Sequence, residues 1–296
     1  MRQPPRSSLR RMRAALAAVL AVTMLGAMPV RAQSYSAGGA NAYVRSKDYQ
    51  GLLHYATAWT KADPGSADAW SYLGVVYGIY LKQPDKAVAP MQRSLTLNPN
   101  QAPGWHALGV TYIQLQKNAD AVGAISKAIR LNPNQPNYYN NLAVAYAQMA
   151  RWQDAYNALN DEKDLAEKLD TPMVWFNLGN GYARLEQAPP AVAAYQRAVK
   201  INPGWAQAWT NLGTMLQWGG NVRGAEQAYA RGAQLGDPLA AQDNARLQQA
   251  LAQQAAAARA GNSRSSIDAI INRQAKESLE IQLHNEGSLN INDHLP

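Results

Sequence analysis

Apolar residues along most of this chain return every three or four positions, and the pattern they make is itself repeated. Between Ala102 and Gln135, Trp105, Leu108 and Tyr112 share one face of a first helix, and Ala121, Ile125 and Ala128 share one face of a second. The polar run Gln116-Lys117-Asn118-Ala119-Asp120 separates them, and Asn118 or Asp120 is expected to cap the second helix by accepting from its free N–H groups. Asn132-Pro133-Asn134 ends that helix, because proline has no N–H to donate and disfavours a helical residue before it. Gly109 stands inside the first helix, where glycine costs about 1 kcal/mol relative to alanine. A close approach of the second helix, which any larger side chain would block, is the expected offset.

The same offsets recur with a period of about 34 residues. They reappear as Trp175, Leu178, Gly179, Tyr182, Ala191, Tyr195, Ala198 and Pro203. Trp209, Leu212, Gly213, Ala225 and Tyr229 follow, with Leu216 where tyrosine is expected and Pro238 one residue late. Trp70, Leu73, Gly74 and Tyr77 open a further unit in which Ala87, Met91 and Pro99 are each displaced by one, predicting an extra residue in the turn. Tyr139, Leu142, Ala143, Tyr146, Ala155 and Leu159 mark another, whose second helix runs on through Asp161 to Lys168 with no proline until Pro172. Pro90 falls several residues inside a helix that begins at Pro84, so it either kinks that helix or is tolerated as a local distortion.

These spacings carry the signature of tetratricopeptide repeats, and the chain resembles that family from residue 67 to residue 239. The resemblance implies an all-α fold, a right-handed superhelix of five to six helix pairs divided at 67–101, 102–135, 136–171, 172–205 and 206–239. Residues 33–66 read either as a degenerate first pair, around Tyr43, Ala56, Trp59 and Pro64, or as an N-terminal stretch followed by one helix from Asp48 to Lys61. Residues 240–260, with Leu247 and Leu251 among their apolar positions, are expected to form the helix that covers the last pair.

Both ends depart from the repeat. Arg2, Arg6, Arg10, Arg11 and Arg13 precede an almost unbroken apolar run from Ala14 to Val30, and Val30-Arg31-Ala32 offers a small-residue cleavage site. Residues 1–32 therefore read as a secretory signal, with the mature chain beginning near Gln33 in a periplasmic or secreted location. An uncleaved anchor is disfavoured by the shortness of the run, and Arg10-Arg11 also admits a twin-arginine reading. The charge balance follows from this. Six of the 28 basic residues and none of the 20 acidic ones lie at or before Arg31, so a net charge of +8 falls to +2 on cleavage. The basic excess that would suggest nucleic acid belongs to the leader, and no nucleic-acid partner and no stable membrane span after cleavage are expected.

In the tail, residues 261–296, Ser266 would cap a short helix carrying Ile267, Ile270 and Ile271. Leu279, Ile281 and Leu283 then alternate, as do Leu289 and Ile291 beyond the turn at His284 to Gly287, which predicts a β-hairpin. Such a hairpin would dock on the superhelix, add to a partner's sheet, or stay disordered.

Catalytic chemistry has few candidates. His54, His106, His284 and His294 are scattered without metal-ligand spacing, cysteine is absent, and no phosphate loop or nucleophile elbow occurs. The acidic group Asp161, Glu162 and Asp164 reads as a solvated helix face. No enzyme activity, metal or cofactor is expected.

By resemblance, the first helices would line a concave groove that takes a peptide segment of a cell-envelope protein. The matching positions are Tyr72, Val75, His106, Val110, Asn140, Asn141, Val144, Phe176, Asn177, Asn180, Arg184, Thr210, Asn211, Thr214 and Trp218. Asn141, Asn177 and Asn211 would form a ladder of amides reading a peptide backbone, or would pack neighbouring helices. Val75, Val110, Ile113, Val144, Met173, Phe176 and Trp218 would make apolar pockets. A carboxylate clamp would have Arg184 and His106 to draw on. The other reading is a structural or self-associating protein that uses its tail or repeat ends.

Overall fold

The computed structural model describes residues 35–259 and, beyond them, residues 273, 275–278 and 280. All regular structure among the described residues is helical. Helices α1 (Ala37–Ser46) and α2 (Tyr49–Ala62) form a first antiparallel pair. Then come α3 (Ala67–Val75) with α4 (Pro84–Leu97), α5 (Ala102–Gln114) with α6 (Asn118–Leu131), and α7 (Pro136–Gln148) with α8 (Trp152–Leu169). The series continues with α9 (Pro172–Arg184) and α10 (Ala188–Ile201), α11 (Ala206–Trp218) and α12 (Val222–Gln234), and closes on the long α13 (Pro238–Arg259).

The helices begin for local reasons. Ser36, Asp48, Ser66 and Asn221 accept from the backbone N–H three residues on, while α4, α5, α7, α9 and α10 carry proline in the first turn, where no N–H is missed. The second helix α6 differs from expectation. Its N-cap is Lys117 and no side chain caps it, so neither Asn118 nor Asp120 takes that role.

In the pairs α3–α4, α5–α6, α9–α10 and α11–α12 a glycine of the first helix meets a large residue of the second, whereas α7 carries Ala143 at that point. A Cβ on Gly179 would stand 2.5 Å from the Tyr195 ring and one on Gly213 2.6 Å from the Tyr229 ring, and Gly109 faces Ile125 in the same way. Between pairs, the residue four places into a first helix reaches back to the preceding turn. Trp70 donates to the Pro64 carbonyl at 2.9 Å, Trp105 to Pro99 at 2.8 Å, Tyr139 to Pro133 at 3.1 Å and Trp209 to Pro203 at 2.9 Å. Where α8 runs on and no proline is present, Trp175 donates instead to the Asp170 carboxylate at 2.9 Å, which Arg197 also binds. Those bonds hold the Asp170 carboxyl below its usual range, the Arg197 bond first.

Two further features of the described residues depart from the sequence reading. The extra residue of the 67–101 unit is absorbed inside the first helix, as a π turn at Val76–Tyr80 closed by Leu81 N–H to the Val76 carbonyl at 2.9 Å. Glu162 does not face solvent with Asp161 and Asp164, since it is fully buried. Its Oε2 accepts from Asn140 Nδ2 at 3.1 Å, and Oε1 has no hydrogen-bond partner among the described residues. The hairpin expected at 279–291 lies outside the described residues except for Glu280, which is helical. Pro90 is buried within α4, which continues through it from Pro84 to Leu97. The leader, 1–32, also lies outside the described residues, and no described helix is long and apolar enough to cross a membrane.

Two glycines should respond in opposite ways to alanine. Gly109→Ala forces a methyl into Ile125 and is expected to cost about 1–3 kcal/mol. Gly123→Ala, on α6 with nothing within 4 Å of the added methyl, is expected to gain about 0.5–1 kcal/mol. Urea unfolding of both variants checks the pair, and equal effects would remove the close-contact explanation.

Candidate functional site

The curvature of the stack follows from which helices touch. Successive first helices meet directly (α1 with α3, α5 with α7, α7 with α9, α11 with α13), whereas second helices contact first helices rather than one another in the stronger packing interfaces. First helices therefore line the inner side and second helices the outer.

Most sequence-predicted groove residues are held inside that inner layer. Tyr72, Val75, His106, Val110, Asn140, Asn141, Phe176, Asn180, Thr210, Asn211 and Thr214 are all buried, leaving Val144, Asn177, Arg184 and Trp218 half-buried at the surface. The amides of the expected ladder are engaged with neighbouring helices. Asn141 Nδ2 lies 2.7 Å from His106 Nε2, joining α7 to α5 with the ring nitrogen as acceptor. Asn140 Nδ2 donates to the Asn177 backbone carbonyl at 2.8 Å, joining α7 to α9. Asn211 Nδ2 donates to Asn180 Oδ1 at 3.2 Å, joining α11 to α9, and the Tyr195 hydroxyl donates to the same oxygen at 2.6 Å. Polar groups pulled from water need partners, and these find them along the stack. In this arrangement Asn141 and Asn211 bond neighbouring helices, as in the second of the two readings that the sequence left open for them.

Burial also shapes the titration of this layer. Desolvation pushes the Tyr138 and Tyr182 hydroxyls up to about 12. It raises the Glu162 carboxyl well above the usual carboxylate range, with the Asn140 bond opposing it. Burial thus holds this acid toward its protonated form, where an exposed acidic run would be charged.

Openings lined by described residues break the inner face. Between α7 and α9, Ala143, Val144, Ala147, Gln148, Trp152, Gly181, Arg184 and Leu185 line a cavity of about 280 Å3. Its wall includes Trp152, 58% exposed, at the start of α8, with Met149 exposed beside it. Of the predicted residues it brings together Val144 and Arg184. Trp152 lies outside the first-helix positions to which the family resemblance points. The sequence signal is the aromatic itself, since the other units between residues 67 and 239 begin their second helices with Pro84, Asn118, Ala188 and Val222. A second opening of about 380 Å3 lies between α3 and α5, lined by Ser71, Val75, Pro103 and Ala107 among others. On the outer side, equivalent clefts recur at Trp105, Leu108 and Tyr112, of about 590 Å3, and at Trp175, Leu178 and Tyr182, of about 450 Å3.

Comparison with known proteins matches these geometric units. The tetratricopeptide repeat family profile matches residues 102–135 and again residues 172–205. A TPR repeat-containing protein of Pseudomonas aeruginosa is 37% identical over 71 residues, spanning 24% of this chain and 68% of its own length. The chain belongs to the tetratricopeptide repeat (TPR) family. Among solved TPR-like structures, PilW, a widely conserved type IV pilus biogenesis factor, aligns with a TM-score of 0.55 at 22% identity, covering 65% of this chain and 88% of that one. A tetratricopeptide repeat protein from Parabacteroides merdae aligns at 0.56 and 15% identity, covering 74% and 84%. These likenesses show the TPR solenoid fold.

Two consequences of this layer can be measured. Asn141→Ala leaves buried His106 without its amide and is expected to lower stability by about 1–3 kcal/mol by urea unfolding, while an exposed Gln153→Ala changes little. The Glu162 carboxyl keeps its proton to higher pH when folded than unfolded. Stability should therefore fall as pH rises above the ordinary glutamate value of about 4.3, until the folded group ionises. Glu162→Gln should abolish that slope, so the two unfolding midpoints converge at low pH and separate as pH rises. Parallel midpoints from pH 4 to 8 would contradict it.

Proposed function

We propose that this TPR protein is a non-catalytic adaptor of the cell envelope that binds a peptide segment of a partner protein on its inner face. The contact is centred on the cavity between α7 and α9. The observation that carries the reading is an aromatic side chain, Trp152, left 58% exposed on the wall of an otherwise apolar concavity. Exposed tryptophan beside an apolar pocket is the side-chain chemistry that dominates protein-binding hot spots. Ala143, Val144, Ala147 and Leu185 suit an apolar side chain of the peptide, and Gln148 and Arg184 give the pocket a polar rim. Because Asn141 and Asn211 serve packing, specificity falls to this pocket rather than to an amide ladder.

The envelope setting rests on the leader-like residues 1–32 and their cleavage site. Assembly of a pilus, a secretion apparatus or an outer-membrane complex is the kind of task such an adaptor serves, and PilW, of the same fold, is a pilus biogenesis factor. The competing reading, a self-associating structural protein, uses the tail or repeat ends instead of the pocket.

Panning a displayed random-peptide library against the chain from Gln33 supplies a ligand without knowledge of the partner. Trp152→Ser is expected to weaken the selected peptide at least about tenfold, roughly 1.4 kcal/mol. Leu169→Ser, an exposed apolar residue away from the cavity, should leave binding unchanged. Since Trp152 is exposed, both variants should keep their melting curves. Unchanged affinity in Trp152→Ser would remove the pocket from the function.

A further inference from the structure

Beyond α13 the described helical residues at 275–278 are not free of the array. Ala275 is fully buried and Ser278 is 2% exposed. The Ser278 hydroxyl donates to the Asp243 carboxylate on α13, and the Lys276 ammonium lies 3.2 Å from the Glu186 carboxylate in the turn between α9 and α10. Along the inner face the first helices run in the order α9, α11, α13. A segment bonded to the α9–α10 turn and to α13 therefore joins two elements that stand one unit apart along the stack. Glu186 directly follows Arg184 and Leu185, both of which line the cavity between α7 and α9. The segment thus adjoins the rim of the proposed binding pocket.

We propose that the segment described at 275–278 is an in-built occupant of the groove, seated at its α9 to α13 end, which a partner peptide must displace to extend beyond the Trp152 pocket. The significance of the displacement rests on the function proposed above; the docking itself does not. The chemistry favours a weak, reversible seat. The residues that the segment buries are small, Ala275 and Ser278, and its ion pair is half-exposed on both sides. Asp243 is nearly buried, with Arg246 3.6 Å away, so the Ser278 hydroxyl supplies a hydrogen bond to a desolvated carboxylate. What holds such a segment is its tether. Arg259 and Arg273 are fourteen positions apart, a stretch able to span roughly 45 Å when extended. The covalent connection makes the docking intramolecular, with an effective concentration on the order of 1 mM. The groove end becomes about tenfold less accessible to a competitor if the isolated segment binds with a dissociation constant about one tenth of that concentration.

Two experiments on the full chain decide the matter. The protein has no cysteine, so Asp243→Cys with Ser278→Cys introduces one defined pair. Mild oxidation is expected to give a disulfide within the monomer, at a yield unchanged by hundredfold dilution. A disulfide-linked dimer would assign the seat to a second copy, and no disulfide would assign it to nothing; either overturns the proposal. The second experiment uses a fluorescent synthetic peptide of residues 268–284 as probe. Ala275→Arg, which ejects the segment without touching the repeats, should bind the probe about tenfold more tightly than the unaltered chain, with an unchanged melting curve. Equal binding to both, or binding to neither, overturns it. Neither experiment involves a partner peptide. A failed Trp152→Ser test beside success here would thus sink the pocket and leave the docked tail standing.

Discussion

The whole stack depends on how closely the two helices of a pair can approach. At Gly109, Gly179 and Gly213 the first helix offers bare backbone, and Ile125, Tyr195 and Tyr229 fill the space that a side chain would take. That contact does more than set a distance. Because Gly179 lets the Tyr195 ring pass, its hydroxyl reaches through the pair to Asn180 on the inner layer, and Asn180 in turn accepts from Asn211 of the next pair. Tyr229 likewise reaches Thr214 and Gln217 past Gly213. A helix-to-helix contact inside one unit is thereby coupled to the bond that registers the next. Packing of this kind tolerates little change in volume, which is why the spacing of the repeat is so uniform.

The joints between units use a second device. A tryptophan or tyrosine four places into α3, α5, α7 and α11 donates to a carbonyl of the preceding turn, and that carbonyl belongs to a proline. The 136–171 unit shows what happens when the proline is missing. Helix α8 continues to Leu169, Asp170 adopts a left-handed conformation to end it, and its carboxylate replaces the carbonyl as the tryptophan's acceptor. The same long helix carries Glu162 into the interior against Asn140, and its first residue, Trp152, stands at the inner cavity. The unit that breaks the pattern is thus the one that carries both the buried acid and the proposed binding pocket.

How much of this was legible in the sequence divides along a physical line. Positions whose neighbours lie within one repeat could be read from spacing alone: Trp105, Leu108, Gly109, Ile125 and Pro133 imply their own contacts. Positions whose surroundings come from the next repeat could not. Asn141 and Asn211 have the chemistry of a peptide-reading ladder, and only the neighbouring helix, with His106 or Asn180, turns them into packing groups. Glu162 sits among Asp161 and Asp164 in sequence, yet a helix rotates it by 100° per residue from each neighbour, so one member of an acidic run can be interior. The extra residue before Pro84 was visible as a shift in register. Its absorption as a π turn within the first helix, rather than in the loop, depends on local backbone bonding that spacing does not encode.

The central claim is that the inner face between α7 and α9, rather than the outer clefts, receives the partner. Amide hydrogen exchange with a selected peptide bound tests it most directly, because both faces are read in one measurement. The account predicts slowed exchange across residues 143–152 and 181–185, with the outer cleft around Lys163, Trp175 and Arg197 unchanged. Protection confined to the outer cleft, with the inner segments exchanging as in the free protein, would contradict it.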